Sequence, residues 1–224
     1  MPLLEARGLD VRTFDLPGLG SDPTPAGEVS FADYVDTIVS VLCETPDPAL
    51  LVAHSMGGWP ASAAAERVPE RIGRLVYLAS FMPKDGETIV GLAQSLIQPD
   101  EPSGFGCMRP SGIAGAHEID PACAGAFFYG ACPPDVVASA IRRLRPQADA
   151  PLVPPIHLSA DRFGRVPRSY ILCRNDRALP ASAQERLCAR APEVRRRELD
   201  SDHSPFYSMP EALADLLADE ASLG

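Results

Sequence analysis

The sequence predicts an α/β protein, one domain on a mostly parallel sheet with helices on both faces and an insertion over one edge. Three observations carry this. A chain of 224 residues with 46% hydrophobic content can bury one continuous core. Short apolar runs alternate with helical patterns, as they do when crossover helices cover a parallel sheet. One long interval rich in Pro and Gly interrupts that alternation.

In chain order, Pro2-Leu3-Leu4-Glu5-Ala6-Arg7-Gly8 reads as the last turns of a helix closed by a glycine cap. Asp10–Asp15 reads as a strand, ended by the turn-rich L-P-G-L-G-S-D-P-T-P. Ser30 can cap a helix running to about Glu44, with Asp33 three residues on in the capping-box position. The apolar run Ala49–His54 predicts a strand and Met56 to about Val68 a helix. Further strands are expected at Arg74–Ser80, Ser169–Arg174 and Val194–Leu199, and a closing amphipathic helix at Pro210–Glu220. Residues 1–82 and 167–224 form the expected core. Residues 83–166 form the expected cap, with helical pieces at Glu87–Ile97 and Pro134–Leu144.

Composition excludes several classes. A net charge of −10 disfavours nucleic acid as a partner, because phosphate binding needs a basic surface. The one dense basic cluster, Arg195-Arg196-Arg197, is expected on an exposed edge or outer face of its strand. No apolar stretch approaches the ~20 residues of a membrane span, and the first residues lack a signal-peptide pattern. The six cysteines form no C-x-x-C pair, so a disulfide scaffold, a zinc site or any other metal centre is not expected. Most of them are read as small core residues in a reducing cytoplasm. No cofactor motif is present, and the oligomeric state stays open, a homodimer included.

The stretch A-H-S-M-G-G follows an apolar strand and opens a helix. A serine on such a turn projects its hydroxyl from the sheet edge, while the helix N-terminus offers backbone N–H groups to developing negative charge. Small residues, Ala53 and Gly57, stand two places either side of Ser55. Serine needs a base. His54 is adjacent in the chain and points to the opposite side, which suits packing or hydrogen bonding; His117 and His157 are isolated in the cap. His203 stands just past the Val194–Leu199 strand. The carboxylate that orients it is expected to be Asp176, just after the Ser169–Arg174 strand, with Asp202 and Asp85 as rivals. Ser55, Asp176 and His203 thus each follow a strand C-terminus, and such ends share one sheet edge.

With these residues in hand the sequence resembles the α/β-hydrolase superfamily, in the branch of plant methylesterases, hydroxynitrile lyases and bacterial esterase relatives. The resemblance rests on F-D-L-P-G-L-G-S-D, A-H-S-M-G-G, V-Y-L-A-S-F-M-P, D-R-F-G-R-V-P-R-S-Y-I-L-C-R-N-D-R-A-L-P and D-S-D-H-S-P-F, and spans nearly the whole chain. It implies Ser55 as nucleophile, His203 as general base and acid, Asp176 as the orienting carboxylate and Met56 N–H as one oxyanion donor. It also implies a cap enclosing a small apolar pocket for an ester substrate. Candidates for substrate contact are His54, Trp59, Phe105, Met108, Phe127, Phe128 and Tyr129. Hydroxynitrile lyases place a lysine after the catalytic histidine; Ser204 stands there, which favours ester hydrolysis over cyanohydrin cleavage.

One departure concerns the N-terminus. Family members carry a strand and an oxyanion loop, often marked by His-Gly, before the position where this chain starts. None of the four histidines here is followed by glycine. The expectation is a sheet lacking a central strand beside the nucleophile strand and a site lacking its second oxyanion donor. The preferred explanation is a late start with coding sequence upstream. The alternative is a weakly active or inactive relative that binds an apolar small molecule.

Overall fold

The computed structural model describes residues 1–223. The elements follow in chain order: α1 (Pro2–Glu5), α2 (Phe31–Cys43), β1 (Ala49–His54), α3 (Gly58–Arg67) and β2 (Ile72–Leu78). Then come α4 (Ile89–Leu96), β3 (Met108–Pro110), β4 (Ala116–Ile119), α5 (Pro121–Phe128), α6 (Pro134–Arg142) and β5 (Gln147–Ala148). The chain closes with β6 (Arg168–Cys173), α7 (Ala181–Ala189), β7 (Arg195–Leu199), α8 (Pro205–Ser208) and α9 (Pro210–Ala221).

The main sheet has the order β1-β2-β6-β7, and every neighbouring pair is parallel. Side-chain alternation divides its residues between two cores. Leu75, Tyr77, Tyr170 and Leu172 face α2, α3 and α7, packing with Val35, Ile38, Trp59, Ala61 and Leu187. Val76, Leu78, Ile171, Cys173 and Leu199 face Leu213 and Leu217 of α9 and Leu4 of α1. Helices therefore cover both faces, as the β–α alternation predicts.

Local chemistry sets the element ends. Ser30 and Asp33 form the reciprocal capping box at the start of α2, the Asp33 carboxylate accepting the Ser30 N–H at 2.8 Å. The turn that follows the short α1 closes at Gly8 with φ 81°, and Arg7 docks it on α9 through Asp215 at 2.5 Å and Glu211 at 3.0 Å. Arg195, Arg196 and Arg197 lie on the edge strand β7 and pair with Glu220, Glu198 and Asp219 at 3.1, 2.6 and 3.0 Å.

Two expectations are corrected. Asp10–Asp15 is not a strand: the segment joins no ladder, and alternation without a partner strand makes no sheet. β1 is accordingly an edge of the sheet, and Val52 on it is 37% exposed although its sequence, A-L-L-V-A-H, suits an interior strand. Second, Cys107 and Cys123 are joined in a disulfide with Cα atoms 5.9 Å apart. They are 16 residues apart in the chain, and the fold of the 104–123 segment brings them together in a way no C-x-x-C spacing could announce. Of the other four, only Cys173 is buried; Cys43 is exposed, and Cys132 and Cys188 are intermediate.

Between Met82 and Val166 the chain builds α4, α5, α6 and a small antiparallel sheet of order β3-β4-β5. This segment also carries Phe128, whose ring packs against His203.

Candidate active site

Ser55 occupies the junction of β1 and a 3₁₀ turn (Ser55–Gly57) that runs straight into α3. Its φ is 54°, the left-handed region that non-glycine residues seldom adopt. The end of β2 holds this conformation in place. The Ser55 carbonyl accepts the Phe81 N–H at 3.2 Å and the Ser80 hydroxyl at 2.5 Å. Tyr170 fixes Ser80 in turn, donating its hydroxyl to the Ser80 carbonyl at 2.8 Å and accepting the Ser80 N–H at 3.1 Å. The glycine that the close approach demands is Gly58: a Cβ there would lie 2.3 Å from the Phe81 carbonyl oxygen and from Ser80 Oγ. At Gly57, the glycine singled out by motif spacing, a Cβ would meet open space.

The strand ends bring the three residues together. His203 Nε2 lies 3.0 Å from Ser55 Oγ, and His203 Nδ1 lies 2.7 Å from Asp176 Oδ2. A carboxylate can only accept, so Nδ1 carries the proton and Nε2 is left to accept from the serine hydroxyl. Asp176 is 4% and His203 2% exposed, which strengthens both interactions relative to water. Asp176 is also fully engaged. Its Oδ1 accepts the N–H groups of Ala178 and Leu179 at 2.8 and 3.0 Å, and its Oδ2 accepts the Gln184 side-chain N–H at 2.9 Å.

Gln184, absent from the sequence-based candidates, links the site to its scaffold. It is fully buried on α7; its NH₂ group also donates to the Leu179 carbonyl at 2.8 Å, and its Oε1 accepts the Cys173 N–H at 3.1 Å. The available signal was a polar residue between Ala183 and Leu187, both on the buried face of α7.

His54 turns away from Ser55 Oγ and supports the histidine instead. Its Nε2 lies 2.8 Å from the His203 carbonyl oxygen, which must accept, so Nε2 donates. Its ring stands 4.5 Å from the His203 ring, and the edge of Phe206 closes on it at 5.1 Å. Burial, with the neighbouring His203, lowers its pKa from the ordinary 6.5 to about 3, so the ring stays neutral.

The other candidates divide. Phe128 packs edge-on against the His203 ring at 5.4 Å. Tyr129 packs against Tyr207 at 6.2 Å, and Phe105, 39% exposed, against Phe81 at 6.2 Å. Phe127 carries the Arg177 guanidinium on its ring face at 5.1 Å. Trp59 is corrected: it is fully buried in the core beneath α3, with no surface for a ligand. Of the rival carboxylates, Asp202 makes no bond to the His203 ring, and Asp85 accepts the Leu158 N–H at 2.9 Å. Met56 is the second residue of the helical turn, where N–H groups have no intrahelical acceptor. Two surface cavities, about 520 Å³ along 108–117 and about 200 Å³ around Met82, Phe163 and Arg190, have no triad residue in their walls.

A parallel sheet with a serine on a strained turn at one strand end and a His–Asp pair at two others defines an α/β-hydrolase architecture. The model of the alpha/beta hydrolase family matches residues 1–216, and the chain belongs to that family. Methylesterase 7 of Arabidopsis thaliana is 30% identical over 97% of this chain and 88% of its own length. Putative methylesterase 14, chloroplastic, of the same plant is 30% identical over 98% of this chain, which spans 66% of that relative's length. A pyrethroid hydrolase of Sphingobium wenxiniae is 28% identical over 99% of this chain and 81% of its own. Among solved structures, polyneuridine aldehyde esterase (an H244A mutant) superposes with a TM-score of 0.86 at 22% identity, covering 98% of this chain and 91% of its own. A pyrethroid hydrolase superposes at 0.83 with 27% identity, covering 99% and 89%. The resemblance to the methylesterase branch stands.

Proposed function

We propose that this protein hydrolyses small, largely apolar carboxylic esters through an acyl-enzyme. The observation that carries the reading is the Ser55–His203–Asp176 relay at 3.0 and 2.7 Å, with Ser55 held at φ 54°. His203 Nε2 takes the Ser55 proton as Oγ attacks the ester carbonyl, and Asp176 stabilises the resulting imidazolium. The tetrahedral oxyanion receives the Met56 N–H. His203 then returns the proton to the departing alcohol, leaving Ser55 acylated. Water, deprotonated by the same nitrogen, releases the acid and restores the serine. The methylesterase and pyrethroid hydrolase relatives favour an ester substrate, and Phe128 beside His203 favours an apolar one.

Ser55→Ala is expected to lower kcat on phenyl acetate by about 10⁴-fold or more, the scale seen when a catalytic serine is removed. Hydrolysis persisting at the wild-type rate would refute the assignment. A second reading, binding of an apolar molecule with slow turnover, draws on β1 being an unpaired edge beside Ser55. It would leave even the unaltered protein close to the rate of Ser55→Ala.

A further inference from the structure

The loop carrying His203 contains a second buried carboxylate that the relay does not use. Asp202 is 3% exposed, and its two oxygens face two different parts of the molecule. Oδ1 accepts within its own segment, from the Ser204 N–H at 3.1 Å and the Ser208 hydroxyl at 2.8 Å, with the Ser201 hydroxyl at 3.3 Å. Oδ2 reaches 71 residues back, accepting the Ala131 N–H at 2.9 Å, with the Cys132 thiol at 3.5 Å. Every partner is a donor, and a buried group whose partners all donate must accept on both oxygens. Carboxylate is the side chain that meets this. Burial and the Asp202 charge push the Cys132 thiol up to about 12, which keeps its proton available for the same oxygen.

The segment that Asp202 grips is the one that bears on the histidine. Phe128, three residues before Ala131, is the last residue of α5 and packs edge-on against the His203 ring. Tyr129, next to it, packs against Tyr207 of α8, the helix that contains Ser208. One carboxylate therefore closes a circuit: His203 loop, Asp202, Ala131, Phe128 and back to the His203 ring.

We propose that Asp202 is a positioning residue that locks residues 128–132 onto the His203 loop and so holds the imidazole in line between Asp176 and Ser55. The inference rests on the reading of His203 as the general base. Without Asp202 the Ala131 N–H loses its acceptor and the Phe128 ring its seat. His203 then keeps the Asp176 bond at one end but loses the wall that sets its tilt toward Ser55 Oγ.

The test compares the unaltered protein with Asp202→Asn and Asp202→Ala. Asp202→Asn keeps the volume but presents an NH₂ group to one of the two donor sets, so it tests the charge if the alanine variant fails to fold. The readouts are kcat on phenyl acetate, the exchange rate of the Ala131 amide, and the NMR signal of the His203 Nδ1–H. Asp202→Ala is expected to lower kcat by roughly 10–100-fold, the range found when outer partners of metal-bound histidines are removed. Asp202→Asn should fall between. Ala131 exchange should accelerate and the His203 signal should shift or broaden in both variants. Faster Ala131 exchange with kcat within twofold and an unchanged His203 signal would overturn the proposal, leaving a purely structural residue. If the unaltered protein does not hydrolyse phenyl acetate, the ester reading fails separately, and the His203 signal still decides the role of Asp202.

Discussion

The two halves of the candidate site stand on differently supported ground. Asp176 and His203 follow β6 and β7 and are enclosed, with Gln184 and the backbone N–H groups of Ala178 and Leu179 filling the remaining acceptor positions of Asp176. Ser55 ends β1, the open edge of the sheet, where Val52 is exposed and Gly57 borders open space. Its strained backbone is held from one side only, by Ser80 and Phe81 at the end of β2. The His203–Asp176 half, proposed for acid–base work, is thus preorganised by many buried contacts, and the Ser55 half, proposed as the nucleophile, by a few contacts made through its carbonyl. Stability and catalysis should respond differently when each is disturbed.

Among the groups that support Ser55 and His203, the largest effect is expected at the enclosed half. Asp176→Asn should lower kcat on phenyl acetate by about 10⁴-fold, because the amide favours the wrong imidazole tautomer. Gln184→Leu, one shell further out, leaves the buried Cys173 N–H without an acceptor and Asp176 Oδ2 short of a donor. Its expected cost is about 2–6 kcal/mol in urea unfolding, taking about 1–3 kcal/mol for each stranded group. At the nucleophile half, Ser80→Ala removes one bond to the Ser55 carbonyl and should cost only about 0.5–1.5 kcal/mol of stability. If Ser80→Ala proves as destabilising as Gln184→Leu, the two halves are equally braced and the contrast fails.

How much of this could be read from the residues follows from what each feature depends on. Ser55, Asp176 and His203 were legible because each needs only a strand before it, and parallel strands bring their C-terminal ends to one edge. The capping box at Ser30 and Asp33 was legible because it is local. Asp10–Asp15 was misread because a strand is completed by its neighbour, which no property of the segment itself supplies. Trp59 lies four residues beyond Ser55, yet the rotation of α3 turns it into the core. Gln184 and Asp202 act through packing of α7 on β6 and of residues 128–132 on the His203 loop, so their partners are remote in sequence. The same holds for the disulfide between Cys107 and Cys123.

The central claim is that Ser55 is a nucleophile activated by His203. Mass spectrometry after reaction with a serine-directed fluorophosphonate tests it most directly. The account predicts a single adduct on the peptide containing Ser55, absent in Ser55→Ala and strongly slowed in His203→Ala. An unmodified protein, an adduct on another residue, or labelling of Ser55 that does not depend on His203 would contradict it.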